Sequence, residues 1–591
     1  MQPPTARSKL ILRTRLWYVL LLVLSVVVLV RLFYLQVIQH EYYRTAAYTG
    51  QLREYEIPAA RGVIEAYNGG EIVPIVLNQT KYTLFADPLY IEDPLETAEQ
   101  LMSVIGSLNT DELLAAMQAD SRYQIIRKKL TKPVMERVVA LELPGIGVRE
   151  EPHRAYPQGA LAAQLLGFVN DEGQGVYGIE EALNDQLTGK PGQLRAITDA
   201  RGIPLAANQD NIRINPQAGD RLRLTIDVSV QKQLEDLLEE RVDRSKAISG
   251  GALILNAQDG AVVAMANYPS YHPEKFFEVS SDEADVYRNK VVTDPLEIGS
   301  IMKPFTMAAA LDQGVIEPDT TYHDPDQFQI DGATIRNVEE SSGVGTRDMV
   351  DILQLSLNTG ATWLLKQMGN GEINESARLA WHEYMTDHYF FDQPTGIEQG
   401  YEAGGAIPSP VDGFGLNIQF ANTAFGQGMT ATPLQAGAAF AAIINGGTYY
   451  QPRLLSALTT DQDGSLESID PIVRREAVVS ARVSEQLRQL LEEAFAKNYR
   501  TYGLEALPEG FSIGGKTGTA QIPRAEGGYY DHKFNGTFIG YVADAQDTYI
   551  IMVRIDEPQV AGYAGSVAAG PLFVDLAEVL MHGYGMQPKV N

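Results

Sequence analysis

The chain has 591 residues, a formal net charge of −28 and no cysteine. That acidic balance offers no basic footprint for nucleic acid, and the lack of thiols excludes disulfides and thiolate metal sites. With 45% hydrophobic residues the composition is otherwise that of an ordinary globular protein, long enough for several domains.

Arg7, Lys9, Arg13 and Arg15 precede an apolar stretch from Leu16 to Val30 that continues past Arg31 to Ile38. At the helical rise this stretch spans about 35 Å, more than a hydrocarbon core of about 30 Å. A signal peptide would need a small-residue cleavage site next; Arg31-Leu-Phe-Tyr-Leu-Gln-Val comes instead. Residues 16–38 are therefore expected to be a retained single-pass anchor, with Trp17, Tyr18, Phe33 and Tyr34 in the interfacial belts. The basic residues before it predict a cytoplasmic tail over 1–15, with everything beyond the anchor on the outer face of the membrane.

From 39 to 218, short strand-like pieces such as Tyr82-Thr-Leu-Phe-Ala86 alternate with charged helical pieces at 111–118 and 133–143. The polar segment 208–219, with Pro216, reads as the edge between this region and a second one over 219–591. There, Ala252-Leu-Ile-Leu-Asn256 and Ala261-Val-Val-Ala-Met-Ala266 are expected strands, joined by the hairpin signal Ala257-Gln-Asp-Gly260. A helical middle follows, then three strands at 511–521, 536–543 and 549–555, and a closing helix at 572–582. Strands at both ends with helices between predict an α+β fold, one antiparallel sheet assembled from both ends and covered by helices.

Three short motifs lie in that second region: Ser300-Ile-Met-Lys303, Ser356-Leu-Asn358 and Lys516-Thr517-Gly518-Thr519. Each alone is common, and a lone Ser-x-x-Lys is most often solvated helix surface. Together, in this order, they describe an acyl-transfer site built on an activated serine. A serine hydroxyl must lose its proton as it attacks a carbonyl, and Lys303 falls on the same helical face as Ser300. Lysine acts as a base only when neutral, which burial or a nearby cation promotes, and Lys516 is the candidate cation. Ser356 is expected to bridge the two amines and relay the proton, and Asn358 to orient base and substrate through its amide.

Gly299 and Ser300 start an apolar run to Asp312 that Gly314 closes, so Ser300 is expected to open a helix, with Pro304 in its first turn. The amides of Ser300 and of Thr519, on an edge strand, would form an oxyanion hole in which each donor contributes about 3 kcal/mol. Gly518, in an otherwise apolar strand, marks a point where something approaches the backbone closely.

Two other signals compete. Gly510-Phe-Ser-Ile-Gly-Gly-Lys516-Thr517 matches a phosphate-binding loop, but that requires a helix opening at the lysine, and Gly518, Thr519 and Pro523 propagate a helix poorly. His382-Glu383 with His388 lacks the spacing that places two ligands on one helix face, and is expected to decorate a surface helix. Neither a metal nor a cofactor is expected.

Beyond the three motifs, Arg61-Gly62 with Asn68-Gly69, Tyr156-Pro157, Gly167-Phe168 and Gly178-Ile179-Glu180 complete a pattern with Thr225-Ile226-Asp227, Gly426-Gln427-Gly428 and Thr432-Pro433. Across nearly its whole length the chain closely resembles the class B penicillin-binding proteins, monofunctional D,D-transpeptidases of bacterial peptidoglycan. It departs from their pattern at Ala66-Tyr67, Gln164, Ile298 and Leu357. The resemblance implies a penicillin-recognising serine transferase fold over 219–591, on an elongated α+β pedestal of the dimerisation-domain type over 39–218.

It also implies a reaction. Ser300 would attack the penultimate D-Ala carbonyl of a stem peptide, release the terminal D-Ala and pass the acyl group to an amine on a neighbouring stem. Lys516, Thr517, Gly518 and Thr519 would hold the terminal carboxylate, and a β-lactam would acylate Ser300 and stay. With no glycosyltransferase signature, strand polymerisation would fall to a membrane-embedded glycosyltransferase partner, alongside divisome or elongation proteins, with a division role favoured over elongation. A D,D-carboxypeptidase, a β-lactamase and a membrane-anchored β-lactam sensor or scaffold are the alternatives.

Overall fold

The computed structural model describes residues 6–44, 52–57, 59–106, 108–197, 212–337, 343–459, 465–524 and 527–589. Of the expected linker at 208–219, residues 208–211 lie outside the described residues. The chain divides into two compact units, 1–60 with 189–218, and 61–188 with 219–591.

In the first unit, helix Ala6–Phe33 continues into a single π-helical turn, Tyr34–Ile38. Residues 13–38 are long and apolar enough to cross a membrane, and none of these residues is buried within the protein. Strands Leu52–Ile57, Gly192–Ile197 and Ile212–Ile214 form a small antiparallel sheet.

The second unit contains the expected antiparallel sheet. Its order is Val262–Tyr268, Ser249–Asn256, Thr548–Asp556, Tyr529–Ala543 and Ser512–Pro523, so the strand carrying Lys516 is an edge. Side chains alternate across each strand. Ala252 and Ile254 enter one core with Val553 and Phe538, while Leu253 and Leu255 enter another with Met552 and Ile539. Both faces are covered, which is why these strands read as continuous apolar runs. Helix Val228–Ser245 buries Val230, Leu234, Leu238 and Val242 against one face. Asp227 caps that helix by accepting from the amides of Ser229 and Val230, and its other oxygen takes the Gly69 amide at 2.9 Å.

A second, seven-stranded sheet was not foreseen. Its order is Leu466–Ser468, Leu455–Thr459, Leu222–Asp227, Ile64–Asn68, Glu71–Ala86 and Gln124–Leu130, with Ile146–Ala155 also paired to Glu71–Ala86. Residues 222–227 run parallel to 64–68, so strands from the two halves of the sequence complete one sheet. Ala66 is fully buried within it, an apolar environment suited to alanine. Strand Tyr529–Ala543 also begins earlier than the expected 536, because 529–534 pairs with 521–523 alone and polar Asp531, His532 and Lys533 mask the alternation.

The scattered signatures meet in space. Glu180 is fully buried and takes Arg61 Nε at 2.6 Å on one oxygen and Arg154 Nε at 2.7 Å on the other. A Cβ on Gly62 would lie 1.8 Å from the Asp220 carbonyl oxygen, and one on Gly178 would lie 2.4 Å from that of Leu165. Gln164 is buried and satisfied, its amide donating to the carbonyls of Pro269 and Val286.

Candidate active site

Ser300 lies in a short 3₁₀ turn, Gly299–Met302, that leads into helix Lys303–Asp312. In such a turn side chains three apart eclipse one another. The Lys303 Nζ accordingly sits 2.8 Å from Ser300 Oγ. Ile298, one of the departures from the family pattern, enters the turn with φ −73°, a value that a proline ring would also allow.

Lys303 has no solvent exposure. Around its Nζ lie the Ser356 carbonyl oxygen at 2.6 Å, Ser356 Oγ at 3.0 Å and Asn358 Oδ1 at 2.9 Å. Ser356, between helices Met349–Gln354 and Asn358–Gln367, adopts a left-handed φ of +59°, a strained conformation for serine. The two carbonyl-type oxygens can only accept. A neutral amine has two N–H groups for them and one lone pair, which then faces the hydroxyls of Ser300 and Ser356. Burial, and then the charge of Lys516, hold the Lys303 amine well below the usual lysine range.

Gly426 braces the turn from outside. The Gly299 amide donates to the Gly426 carbonyl, and a Cβ on Gly426 would meet Gly299 O at 2.1 Å. Gly426 also has φ +81°, so both its conformation and its space require glycine.

On the edge strand, Lys516 is nearly fully buried, which lowers its pKa to about 7. Its Nζ donates to the Thr517 carbonyl at 3.0 Å and lies 3.3 Å from Thr517 Oγ1. The bridge expected from Ser356 to both amines is therefore half made: its hydroxyl meets Lys303, while Lys516 turns to Thr517. What approaches Gly518 is the protein itself, since a Cβ there would lie 2.2 Å from Thr537 Oγ1 and 3.0 Å from Ile298 O. Thr519 Oγ1 accepts from the Gly565 amide. Lys516 sits in mid-strand, so the phosphate-loop reading fails. His388 lies in a π-helical turn, half-buried between Val478 O at 2.6 Å and Arg475, rather than on a surface helix.

Ser300, Ser356, Asn358, Thr517 and Thr519 line one cavity of about 340 Å³. Gln427, Asn498, Thr501, Tyr502, Tyr563 and Ser566 complete its walls. Apart from Gln427, flanked by its two glycines, these residues have no motif to announce them: Asn498 ends helix Ala481–Asn498, Thr501 and Tyr502 lie in the 3₁₀ turn Tyr499–Tyr502, and Ser566 lies in the π-helical turn Gly565–Ala569. An adjoining cleft of about 830 Å³ shares Asn358, Gln427, Thr519 and Tyr563 and continues past Gln521, room for an extended chain along the edge strand. A hydroxyl against a buried amine, beside a second buried amine and two threonines, is equipped to transfer an acyl group from a substrate bearing a carboxylate.

Comparison with known proteins agrees with this chemistry. The family model "Penicillin binding protein transpeptidase domain" matches residues 250–578, and "Penicillin-binding Protein dimerisation domain" matches 56–224. The chain is 28% identical to the Stage V sporulation protein D of Bacillus subtilis, covering 99% of this chain and 88% of the relative. It is 27% identical to the peptidoglycan D,D-transpeptidase FtsI of Escherichia coli, over 94% of this chain and 89% of that one. Among solved structures, penicillin binding protein 2X from Streptococcus thermophilus aligns with a TM-score of 0.72 at 22% identity, over 90% of this chain and 81% of that one. Penicillin binding protein 3 from Mycobacterium tuberculosis, complexed with aztreonam, aligns at 0.67 and 23%, over 91% and 98%. With a transpeptidase domain matched over more than half its length behind a dimerisation domain, the chain belongs to the penicillin-binding protein transpeptidase family, as a class B member.

Proposed function

We propose that this protein cross-links peptidoglycan stem peptides through an acyl-enzyme on Ser300. The observation that carries the reading is the fully buried Lys303 amine 2.8 Å from the Ser300 hydroxyl. Ser300 Oγ attacks the penultimate D-Ala carbonyl as Lys303 takes its proton. The tetrahedral oxyanion rests on the amides of Ser300 and Thr519, and collapse expels D-Ala, protonated through Ser356. An amine of a second stem then attacks the ester and gives a proton to Lys303, which passes it to Ser300 Oγ as the ester bond breaks and the amide forms. Asn358 fixes the amine's direction, while Lys516, Thr517 and Thr519 receive the substrate carboxylate and Gly518 lets their strand lie against the nucleophile's turn.

Peptide mapping after penicillin treatment should place the adduct on Ser300. Product analysis with a stem peptide and an acceptor amine then separates transfer from hydrolysis. Release of free acid alone, without amide, would identify a carboxypeptidase.

The two amines predict the pH profile. Lys303 is held well below the usual lysine range by burial and then by the charge of Lys516, so acylation should fall in acid, as the amine gains a proton. Lys516, at about 7, loses its charge as pH rises through that value, so binding of a carboxylate weakens above it. The second-order rate of penicillin acylation, which reports the free enzyme, should therefore decline above about pH 7. Lys516→Arg should flatten that alkaline decline while lowering the absolute rate, because guanidinium stays charged. Both amines bind fewer protons folded than unfolded, so stability should rise with pH from about 7 towards the ordinary lysine value.

We further place the catalytic region on the outer face of the membrane, following the basic residues before the anchor, with a membrane-embedded glycosyltransferase as partner. The septum is the favoured site of action; a fluorescent fusion distributed along the lateral wall would favour elongation instead.

A further inference from the structure

Behind the Ser356–Asn358 motif lies a buried polar cluster that touches neither the cavity nor Lys303. Asp324, at the end of strand Thr321–Asp324, is fully buried and forms no ion pair among the described residues. Its Oδ1 accepts from the Asp326 amide at 2.8 Å. Around Oδ2 lie Asn337 Nδ2 at 3.1 Å, Thr359 Oγ1 at 3.0 Å and Tyr322 OH at 3.4 Å. Asn337, also buried, points its Nδ2 at Asp324, which leaves Oδ1 to face the Thr359 amide at 3.1 Å and Thr359 Oγ1 at 2.9 Å.

These contacts join two pairs of consecutive residues. Asn337 grips Thr359, and the neighbouring Arg336 carbonyl accepts from Asn358 Nδ2 at 3.2 Å. A carboxamide has one donor end and one acceptor end. With Nδ2 engaged by Arg336 O, Asn358 must present Oδ1 to Lys303, where it stands at 2.9 Å. The Arg336 carbonyl thus fixes which end of the Asn358 amide faces the amine, and Asn337, oriented by a carboxyl group that accepts on both oxygens, ties residues 336–337 to 358–359 and so keeps that carbonyl in reach.

We infer that Asp324 is a positioning residue for acyl transfer: it orients Asn337, whose grip on Thr359 keeps the Arg336 carbonyl against Asn358 Nδ2, so that Lys303 keeps its lone pair on Ser300. This rests on the acyl-enzyme reading above. Were the Asn358 amide reversed, its NH₂ would compete with Ser300 for that lone pair.

Asp324→Asn is nearly isosteric but cannot accept on both sides, so its NH₂ must face either the Asp326 amide or the donors of Asn337 and Thr359. Time-resolved acylation of the full-length protein in detergent by fluorescent penicillin separates the non-covalent affinity from the acylation rate. Counted per molecule able to form adduct at the end point, Asp324→Asn should acylate about tenfold more slowly or worse, with unchanged affinity. Thr359→Val, which removes only the hydroxyl link, should slow acylation in the same direction by a smaller factor, and it carries the test should the first variant not fold. A merely structural role would reduce the number of reactive molecules and leave their rate alone. That result in both variants, or weakened affinity with an intact rate, overturns the inference. Absence of any adduct on Ser300 of the unaltered chain would instead overturn the transpeptidase reading itself.

Discussion

Ser300→Ala is expected to abolish the penicillin adduct outright, with no mass increase after prolonged exposure, while the protein melts as the parent does. The side chain sits at the mouth of a cavity whose walls come from elsewhere, so its loss removes a reacting atom and little packing. Lys303→Met is the companion case. It keeps an unbranched stem in the buried slot but removes the proton acceptor, and acylation should slow by about 10²- to 10⁴-fold, the usual contribution of a positioned base. Because the Ser356 carbonyl and Asn358 Oδ1 then lose a donor, stability should shift as well, by about 1–3 kcal/mol for the unmet acceptors, offset by release from burying an amine. Retention of a Ser300 adduct at near-parental rate in Lys303→Met would exclude the amine as base.

Glu180→Ala should produce the largest loss of stability. The carboxylate has no solvent exposure, and each of its oxygens receives a buried guanidinium, from Arg61 and from Arg154. Removing one partner of a buried ion pair leaves an uncompensated charge and costs about 3–5 kcal/mol. Here two cations are stranded together. Arg61 retains bonds to Asn184 and Thr188, and Arg154 retains the Gly62 carbonyl, so neither can move to water without dismantling its surroundings. A lowered urea midpoint is the measurement, with the acylation rate of the surviving folded molecules little changed because none of the cluster's residues lines the cavity at Ser300. A midpoint shifted by only a few tenths of a kcal/mol would mean that the two arginines relax into solvent.

The five-stranded sheet was legible in the sequence because its strands are covered on both faces, leaving uninterrupted apolar runs bounded by turns. The seven-stranded sheet was not, since the parallel pairing of 64–68 with 222–227 joins segments far apart and no local signal specifies it. The overhanging start of strand 529–543 was missed for the opposite reason: both its faces are wet, so alternation does not show. At the site, the meeting of Ser300, Lys303, Ser356 and Asn358 followed from residue chemistry and order. The direction of Lys516 did not, because which acceptor an ammonium chooses depends on a strand's twist and on Thr517 beside it. The wall residues Asn498 and Tyr502, from the end of a helix and the turn after it, and Tyr563, from a loop, carry no local signal, and their convergence is a property of the whole fold.

Among the described residues, the strand bearing Lys516 ends its sheet without a further neighbour. An unclaimed strand rim accepts any extended backbone, whether that of a ligand or that of another copy of the same molecule. Solubility and turnover are thereby coupled: concentrated, empty protein is at risk of self-pairing along its own catalytic cleft, and molecules whose clefts are filled are shielded from it.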